Sequence, residues 1–166
     1  AQANHLVFTE AVTTATYTRA VAGTVYNWTN TNTAIGLGAS GSGNISFTST
    51  NATTAPIVGT ITVTPTYTNG SVTCSGTPIT FTITVNPTPT VNQPANQSLC
   101  PGALTAPVVF TGTVPGTVFN WTNSNTTIGL GASGTGNIPA FTALNPGSTP
   151  NVGTITVTPS YTNGAV

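Results

Sequence analysis

Apolar and polar residues alternate with a period of two along several stretches of the chain. The clearest stretch is 79–85, where isoleucine, phenylalanine and valine alternate with threonine; 60–64 repeats the pattern, and 25–29 and 108–114 are shorter examples. Alternation of this kind, bounded by turn-forming residues, is typical of β-strands with one buried face. No window combines a helical period with a cap. We therefore predict an all-β fold.

Turn-forming residues also predict a β-hairpin. Asn69 and Gly70 follow one strand-like run and precede another at 71–74. Asn-Gly is a favoured pair for a two-residue type I′ turn. The sequence predicts a β-hairpin at this point, and it predicts edge positions for Pro65 and Pro159, which stand inside strand-like runs.

The chain also repeats itself. Residues 24–45 match 117–138 at 18 of 22 positions with an offset of 93, and residues 59–70 match 153–164 at 11 of 12 positions with an offset of 94. This period is the size of a small β-domain. We expect the one inserted residue to lie in a loop.

The repeat predicts tandem β-sandwich domains at residues 1–91 and 92–166. The second is expected to be incomplete, because it has no counterpart of the last strands of the first, residues 74–89. Either the sequence is a window on a longer chain, which we favour, or a neighbour supplies the strand. Prolines at 87, 89 and 94 predict an extended, fairly stiff connection.

Charge is nearly absent. Glu10, Arg19 and His5 are the only residues of their kinds, and charged residues make up 1% of the chain against ~25% in typical proteins. Acid–base catalysis, metal binding and phosphate recognition all need such groups. We therefore expect no enzyme, no cofactor, no metal site and no nucleic-acid partner. No run is long and apolar enough for a membrane helix, and threonine, at 39 residues, replaces the charges on the surface.

Four aromatic residues recur at equivalent places in the two repeats. Trp28 and Trp121 sit in the middle of predicted strands, where a tryptophan usually packs between sheets rather than on a sugar. Tyr67 and Tyr161 fit corner tyrosines that bond the backbone. We predict that all four have structural roles in the core.

Two glycine-rich segments, 36–41 and 129–134, formally match a dinucleotide-binding pattern, G-x-G-x-x-G. Such a site needs a preceding strand, a following helix and an acidic residue about 20 positions on, and the chain has no aspartate. We interpret both segments as loops between strands.

The two cysteines, Cys74 and Cys100, are too few for a metal site. A disulfide between them would close a loop of 26 residues, and the sequence leaves their pairing open. In the repeat frame, Val7 stands where the second repeat has Cys100.

Seven asparagines stand in N-x-S/T triplets, which occur freely by chance in a chain with 17 Asn and 39 Thr. Glycans on them would help to disperse an uncharged surface. The candidate glycosylation sites are Asn27, Asn44, Asn51, Asn69, Asn96, Asn120 and Asn125.

Three motifs together carry a family resemblance: Y/F-N-W-T-N, then G-T-I-T-V-T-P-x-Y-T-N-G, then G-T-P-I-T-F-T-I-T-V-N-P-T-P. The chain resembles the PKD-like or immunoglobulin-like tandem repeats of giant cell-surface adhesins of Bacteroidota, including the gliding-motility type exported by the type IX system. The resemblance implies an extracellular, cell-surface filamentous protein that acts as a stalk or spacer and in attachment or gliding. Its implied partners are neighbouring repeats and an unknown surface or glycan ligand.

Two alternative functions stay open at this stage. The chain could be the subunit of a homopolymeric filament whose unfinished domain is completed by a strand from the next chain. It could also be a sugar- or ice-binding module, since rows of Thr-x-Thr can order water, although a twisted sheet suits this less well.

Overall fold

The computed structural model describes residues 5–8, 12–17 and 21–164. Glu10 and Arg19 lie outside this part, as does the side chain of His5. Strands and loops make up the described chain, with two single-turn 3-10 helices and no α-helix, so the predicted all-β class is confirmed. The chain divides into unit 1, residues 1–88 with 163–166, and unit 2, residues 89–162.

The described residues of unit 1 form two sheets. Their strands are β1 (His5–Phe8), β2 (Val12–Ala15), β3 (Val25–Asn30), β4 (Ser40–Ser42), β5 (Ile45–Thr48), β6 (Ile57–Asn69), β7 (Val72–Ser75) and β8 (Ile79–Asn86), and the 3-10 helix η1 (Thr33–Ile35) lies between β3 and β4. The larger sheet has six strands in the order β1-β8-β6-β3-β4, with β7 also paired to β6, and the smaller sheet pairs β2 with β5. All these pairs are antiparallel except β1 with β8.

The predicted hairpin is confirmed, one residue further along than its pattern indicated. Asn69 still pairs with Val72 as a strand residue, so Gly70 and Ser71 form the turn. Gly70 has a φ of +62°. A primed two-residue turn needs a positive φ at its first central position, and glycine adopts it without steric cost.

Pro65 does not lie on an edge strand. β6 is paired on both sides. On one side, its ladder with β8 reaches as far as Val63 and its ladder with β7 starts at Thr66, so Pro65 lies between the two ladders. The Pro65 carbonyl accepts a bond from the Gly76 N–H at 2.8 Å. The missing proline N–H therefore costs no ladder bond, because it falls in the gap between two partners.

The core of unit 1 lies between its two sheets. Ala15 and Ile45 from the smaller sheet pack with the inner side chains of β3, β6 and β8. The alternating residues of these strands therefore face the predicted sides, with apolar residues turned inward and threonine on the outer face. This packing is consistent with a β-sandwich. The buried apolar residues of the cluster are Ala15, Trp28, Ile35, Leu37, Ile45, Ile61, Val63, Phe81, Ile83 and Val85.

The described elements of unit 2 are β9 (Val118–Asn123), the 3-10 helix η2 (Thr126–Ile128), β10 (Ser133–Thr135) and β11 (Ile155–Ser160). The three strands form one sheet in the order β10-β9-β11, with both pairs antiparallel. In this sheet β11 is the outermost described strand, and Pro159 therefore lies on an edge, as predicted.

The counterpart of the β2–β5 pair in unit 2 is reduced to two isolated bridges, Leu104 with Thr142 and Val108 with Ile138. The carbonyl that faces Gly36 in unit 1 belongs to Thr48, and the one that faces Gly129 in unit 2 belongs to Thr142. The inserted residue therefore lies between 138 and 142, a segment that corresponds to β5 but forms no strand in unit 2, so the expected loop insertion is confirmed. Pro139 in this segment has no N–H for the ladder, so the pairing is interrupted.

Candidate functional site

A buried asparagine holds the glycine-rich loop of unit 1. The Asn30 amide nitrogen donates to the carbonyls of Asn32 and Leu37, both at 2.9 Å, and its oxygen accepts from the Asn32 N–H at 3.0 Å. Asn32 in turn caps η1 by accepting from the Ala34 N–H at 3.1 Å. Because loop carbonyls are turned inward to the amide, this segment has a structural role as a loop between η1 and β4.

Unit 2 repeats this arrangement. The Asn123 amide donates to the carbonyls of Asn125 at 2.9 Å and Leu130 at 3.0 Å, and Asn125 accepts from the Thr127 N–H at 3.0 Å. Neither Asn30 nor Asn123 was among the residues predicted from the sequence to have a role. The signal was present in the motif N-W-T-N-x-N, which both repeats contain.

Trp28 and Trp121 are buried members of the two cores, 9% and 7% exposed. Each indole lies against the glycine that pairs with it on the next strand, Gly41 or Gly134, and a Cβ on either glycine would overlap the ring. Neither indole N–H has a hydrogen-bond partner among the described residues. The environment of both rings favours the structural role over stacking on a sugar.

The two tyrosines predicted to belong to the core do not. Tyr67 is 41% exposed, and Tyr161 is half-buried. Tyr67 follows Pro65 on β6, past the end of the β8 ladder, and it lies outside the group of described side chains that pack against the core of unit 1. Its ring edge lies over Gly23 as that of Tyr161 lies over Gly116, and neither hydroxyl bonds any described residue, so the corner-tyrosine interpretation was wrong.

Tyr17 carries a buried hydroxyl that makes no hydrogen bond to the described residues. Its ring lies 5.3 Å from that of Tyr26, and the matching pair in unit 2 is Phe110 with Phe119 at 5.8 Å. Burial raises the pKa of the Tyr17 phenol above its ordinary value. Unit 2 fills the same place with a ring that has no hydroxyl.

The outer face of the large sheet in unit 1 carries rows of hydroxyl groups. Thr80 pairs with Thr62, Thr62 with Thr29, and Thr29 with Ser40, so one row crosses four adjacent strands. All four side chains are exposed or half-buried. With a strand spacing of about 4.8 Å, this face is a regular array of uncharged donors and acceptors.

Unit 2 has a large open groove along its inner side. It encloses about 1130 Å³. The apolar floor comprises Ile128, Leu130, Ile138, Ile155 and Val157, and segments 91–99 and 143–154 form much of the wall. This groove was not anticipated as a site.

The cysteines form no disulfide. Cys74 and Cys100 are both free and exposed, and they belong to different units. Cys74 pairs with Tyr67 on the hairpin, where its side chain faces no second cysteine. The disulfide between Cys74 and Cys100 that the sequence allowed is therefore not formed.

Two of the seven candidate glycosylation sites are unavailable in the folded chain. Both amide hydrogens of Asn51 are used by carbonyls, those of Ala55 at 2.9 Å and Val85 at 2.8 Å, and the residue is 8% exposed. The Asn125 amide donates to Asn151 at 2.8 Å and Val152 at 3.0 Å. The side chains that stay exposed are Asn27, Asn44, Asn69, Asn96 and Asn120.

No protein-family model, curated protein or solved structure matches this chain. In the described part of the chain, no three His, Cys, Asp or Glu side chains come together as metal ligands would. None of the described helices has the length and apolar character needed to cross a bilayer.

Proposed function

We propose that this chain is a structural repeat segment of an extracellular, filamentous cell-surface adhesin, built from immunoglobulin-like (PKD-like) units. It acts as a stalk or spacer that holds a binding region away from the cell and supports attachment or gliding. Its partners are neighbouring repeats, and its ligand is a surface or a glycan.

The observation that supports this proposal is the kind of residue that the two units share. Asn30 and Asn123 hold the same loop, Gly41 and Gly134 receive the same tryptophan edge, and the bonds agree within about 0.1 Å. The duplicated positions are those that build the fold. A spacer needs a repeated fold and a wettable surface, and threonine supplies the second with a β-branched side chain that suits a strand.

Antibodies raised against the chain test this directly. They should label intact, non-permeabilised source cells along extended fibres, and Fab fragments should lower attachment of those cells to glass or to glycan-coated surfaces. An antibody against a cytoplasmic protein is the control for cell integrity. Label found only after permeabilisation would contradict the proposal.

The hydroxyl rows favour one second candidate, a sugar- or ice-binding face. Replacing Thr29 and Thr62 by valine keeps the β-branched shape and removes the hydroxyl groups. If this face binds, the variant should lose glycan binding or inhibition of ice recrystallisation while its unfolding midpoint stays close to that of the original chain. Equal activity of the two proteins would exclude this candidate.

A further inference from the structure

The occupant of the unit 2 groove can be identified by comparison with unit 1. There, β8 lies antiparallel to β6, with Phe81 beside Ile61 and Ile79 beside Val63. Phe81, Ile83 and Val85 point into the core and are at most 2% exposed. An extended segment with apolar residues at alternate positions therefore covers this place in unit 1.

Three apolar residues below that strand are the same in both units. Ile35, Ile61 and Val63 of unit 1 correspond to Ile128, Ile155 and Val157 of unit 2. The first three are at most 1% exposed, whereas the second three are half-buried and line the groove.

Around Gly153, the backbone beneath the groove has the same close contacts as its counterpart in unit 1, where the strand is in place. A Cβ on Gly59 would lie 2.6 Å from Ile35 Cδ1 and 2.8 Å from Asn30 Oδ1. On Gly153 it would lie 2.6 Å from Ile128 Cδ1 and 2.8 Å from Asn123 Oδ1. This part of the groove therefore has the geometry of the covered site in unit 1, whereas residues 151–154, the counterpart of the start of β6, form no strand.

We propose that unit 2 is a strand acceptor. Its groove binds an extended segment with the side-chain pattern of β8, Ile-x-Phe-x-Ile-x-Val, which adds antiparallel to β11 and places its phenylalanine beside Ile155. The groove accepts such a segment whether or not the chain serves as a stalk. Main-chain bonds along β11 supply affinity, and the apolar floor selects the residues at alternate positions.

Size and edge chemistry favour a strand over a small molecule. The groove exceeds the roughly 300–1,000 Å³ of small-molecule pockets. Beside the floor, no described strand pairs with β11 on the side away from β9. Pro159 limits pairing to the residues before it, as Pro65 ends the β8 ladder in unit 1.

The probe is a fluorescent synthetic peptide of residues 77–88, TPITFTITVNPT, titrated against the 166-residue chain. We expect saturable one-to-one binding and increased hydrogen-exchange protection of β11 amides. A peptide with Phe81→Thr and Ile83→Thr keeps the β-propensity and the outer face, and it should bind at least roughly 100-fold more weakly, because a buried aromatic and a buried aliphatic residue are lost. A Thr82→Val peptide, changed on the outer face, should bind like the original.

The acceptor supplies a matched pair of variants. Ile155→Thr on the groove side of β11 should weaken binding by roughly tenfold, and Thr156→Val on the opposite side should leave it unchanged. Absence of saturable binding, or equal binding of the original and doubly substituted peptides, would overturn the proposal. So would self-association of the chain that the peptide fails to displace, since a second copy would then be the occupant.

Discussion

The two units begin from nearly the same sequence and reach different degrees of burial. Within the described residues, ten buried apolar side chains form the cluster of unit 1 and four form that of unit 2. The motifs around Trp28 and Trp121 fold alike in both. The largest difference is β8, which completes the core of unit 1 with Phe81, Ile83 and Val85, and the β2–β5 pair is also reduced to two bridges in unit 2. The comparison shows that the local framework of this repeat has the same geometry with and without a described strand at the place of β8, whereas the core is closed only where that strand is present.

The largest effect on stability should come from replacing the equivalent isoleucine by alanine in each of the two units. Ile61→Ala removes a fully buried side chain and should lower the free energy of unfolding of unit 1 by about 2–5 kcal/mol. Ile155→Ala in unit 2 should cost less than half as much, because Ile155 is half-buried.

Each unit contains one of the two tryptophans, so fluorescence can follow each separately during denaturant unfolding. Variants that also carry Trp121→Phe or Trp28→Phe assign the signal. Equal losses in the two units would contradict the idea that β8 is what sets their cores apart.

The next effect should be the same in both units. Gly41→Ala and Gly134→Ala each place a methyl group against a tryptophan ring, and overpacking of this kind costs about 1–3 kcal/mol. Gly38→Ala and Gly131→Ala are matched controls, because their new Cβ atoms meet no atom within 4 Å. A difference above about 1 kcal/mol between the paired variants would show that the ring environments are not equivalent.

The asparagine anchors should matter about equally in the two units. Asn30→Ala or Asn123→Ala leaves several loop carbonyls without their donor, at a cost of about 1–3 kcal/mol. Hydrogen exchange should increase first in the loop and 3-10 helix that follow the substituted residue. Increased exchange confined to distant strands would rule out the anchoring role.

The smallest effect concerns Tyr17 and its counterpart Phe110. Tyr17→Phe removes a buried hydroxyl that has no described partner and should stabilise unit 1 by about 1 kcal/mol. Since burial raises the pKa of Tyr17 above 10.0, the folded state holds the phenol proton more tightly than the unfolded state does. Stability from this group is complete below pH 10 and is lost as the pH rises through the higher folded pKa.

Thermal unfolding between pH 8 and 11 measures this linkage. The original chain should lose stability above pH 10 more steeply than the Tyr17→Phe variant. Parallel curves for the two proteins would show that Tyr17 does not titrate differently in the folded and unfolded states. Between pH 4 and 8 we expect a nearly constant melting temperature for both, because so few groups of the chain titrate there.

The alternation of threonine with Ile61, Val63, Phe81 and Ile83 was sufficient to predict β6, β8, their inward faces and the all-β class. The prediction of a strand at 108–114 was wrong, because only Val108 pairs there, in a single bridge with Ile138. The turn residues predicted the hairpin, and the internal repeat indicated which residues of the two units correspond. These features follow from the sequence because they depend on the period of a single strand and on the φ preference of single residues.

Only the tertiary structure decided how those strands are used. Pro65 lies in a gap between β8 and β7 rather than on an edge, Tyr67 lies beyond the covered part of the sheet, and Asn51 gives both amide hydrogens to carbonyls. Each outcome depends on residues distant in sequence, which supply a partner or leave one out. The groove of unit 2 belongs to the same class, because it depends on what packs beside β11. Alternation along a strand specifies which face turns inward, whereas burial is determined by the strand that comes to lie next to it.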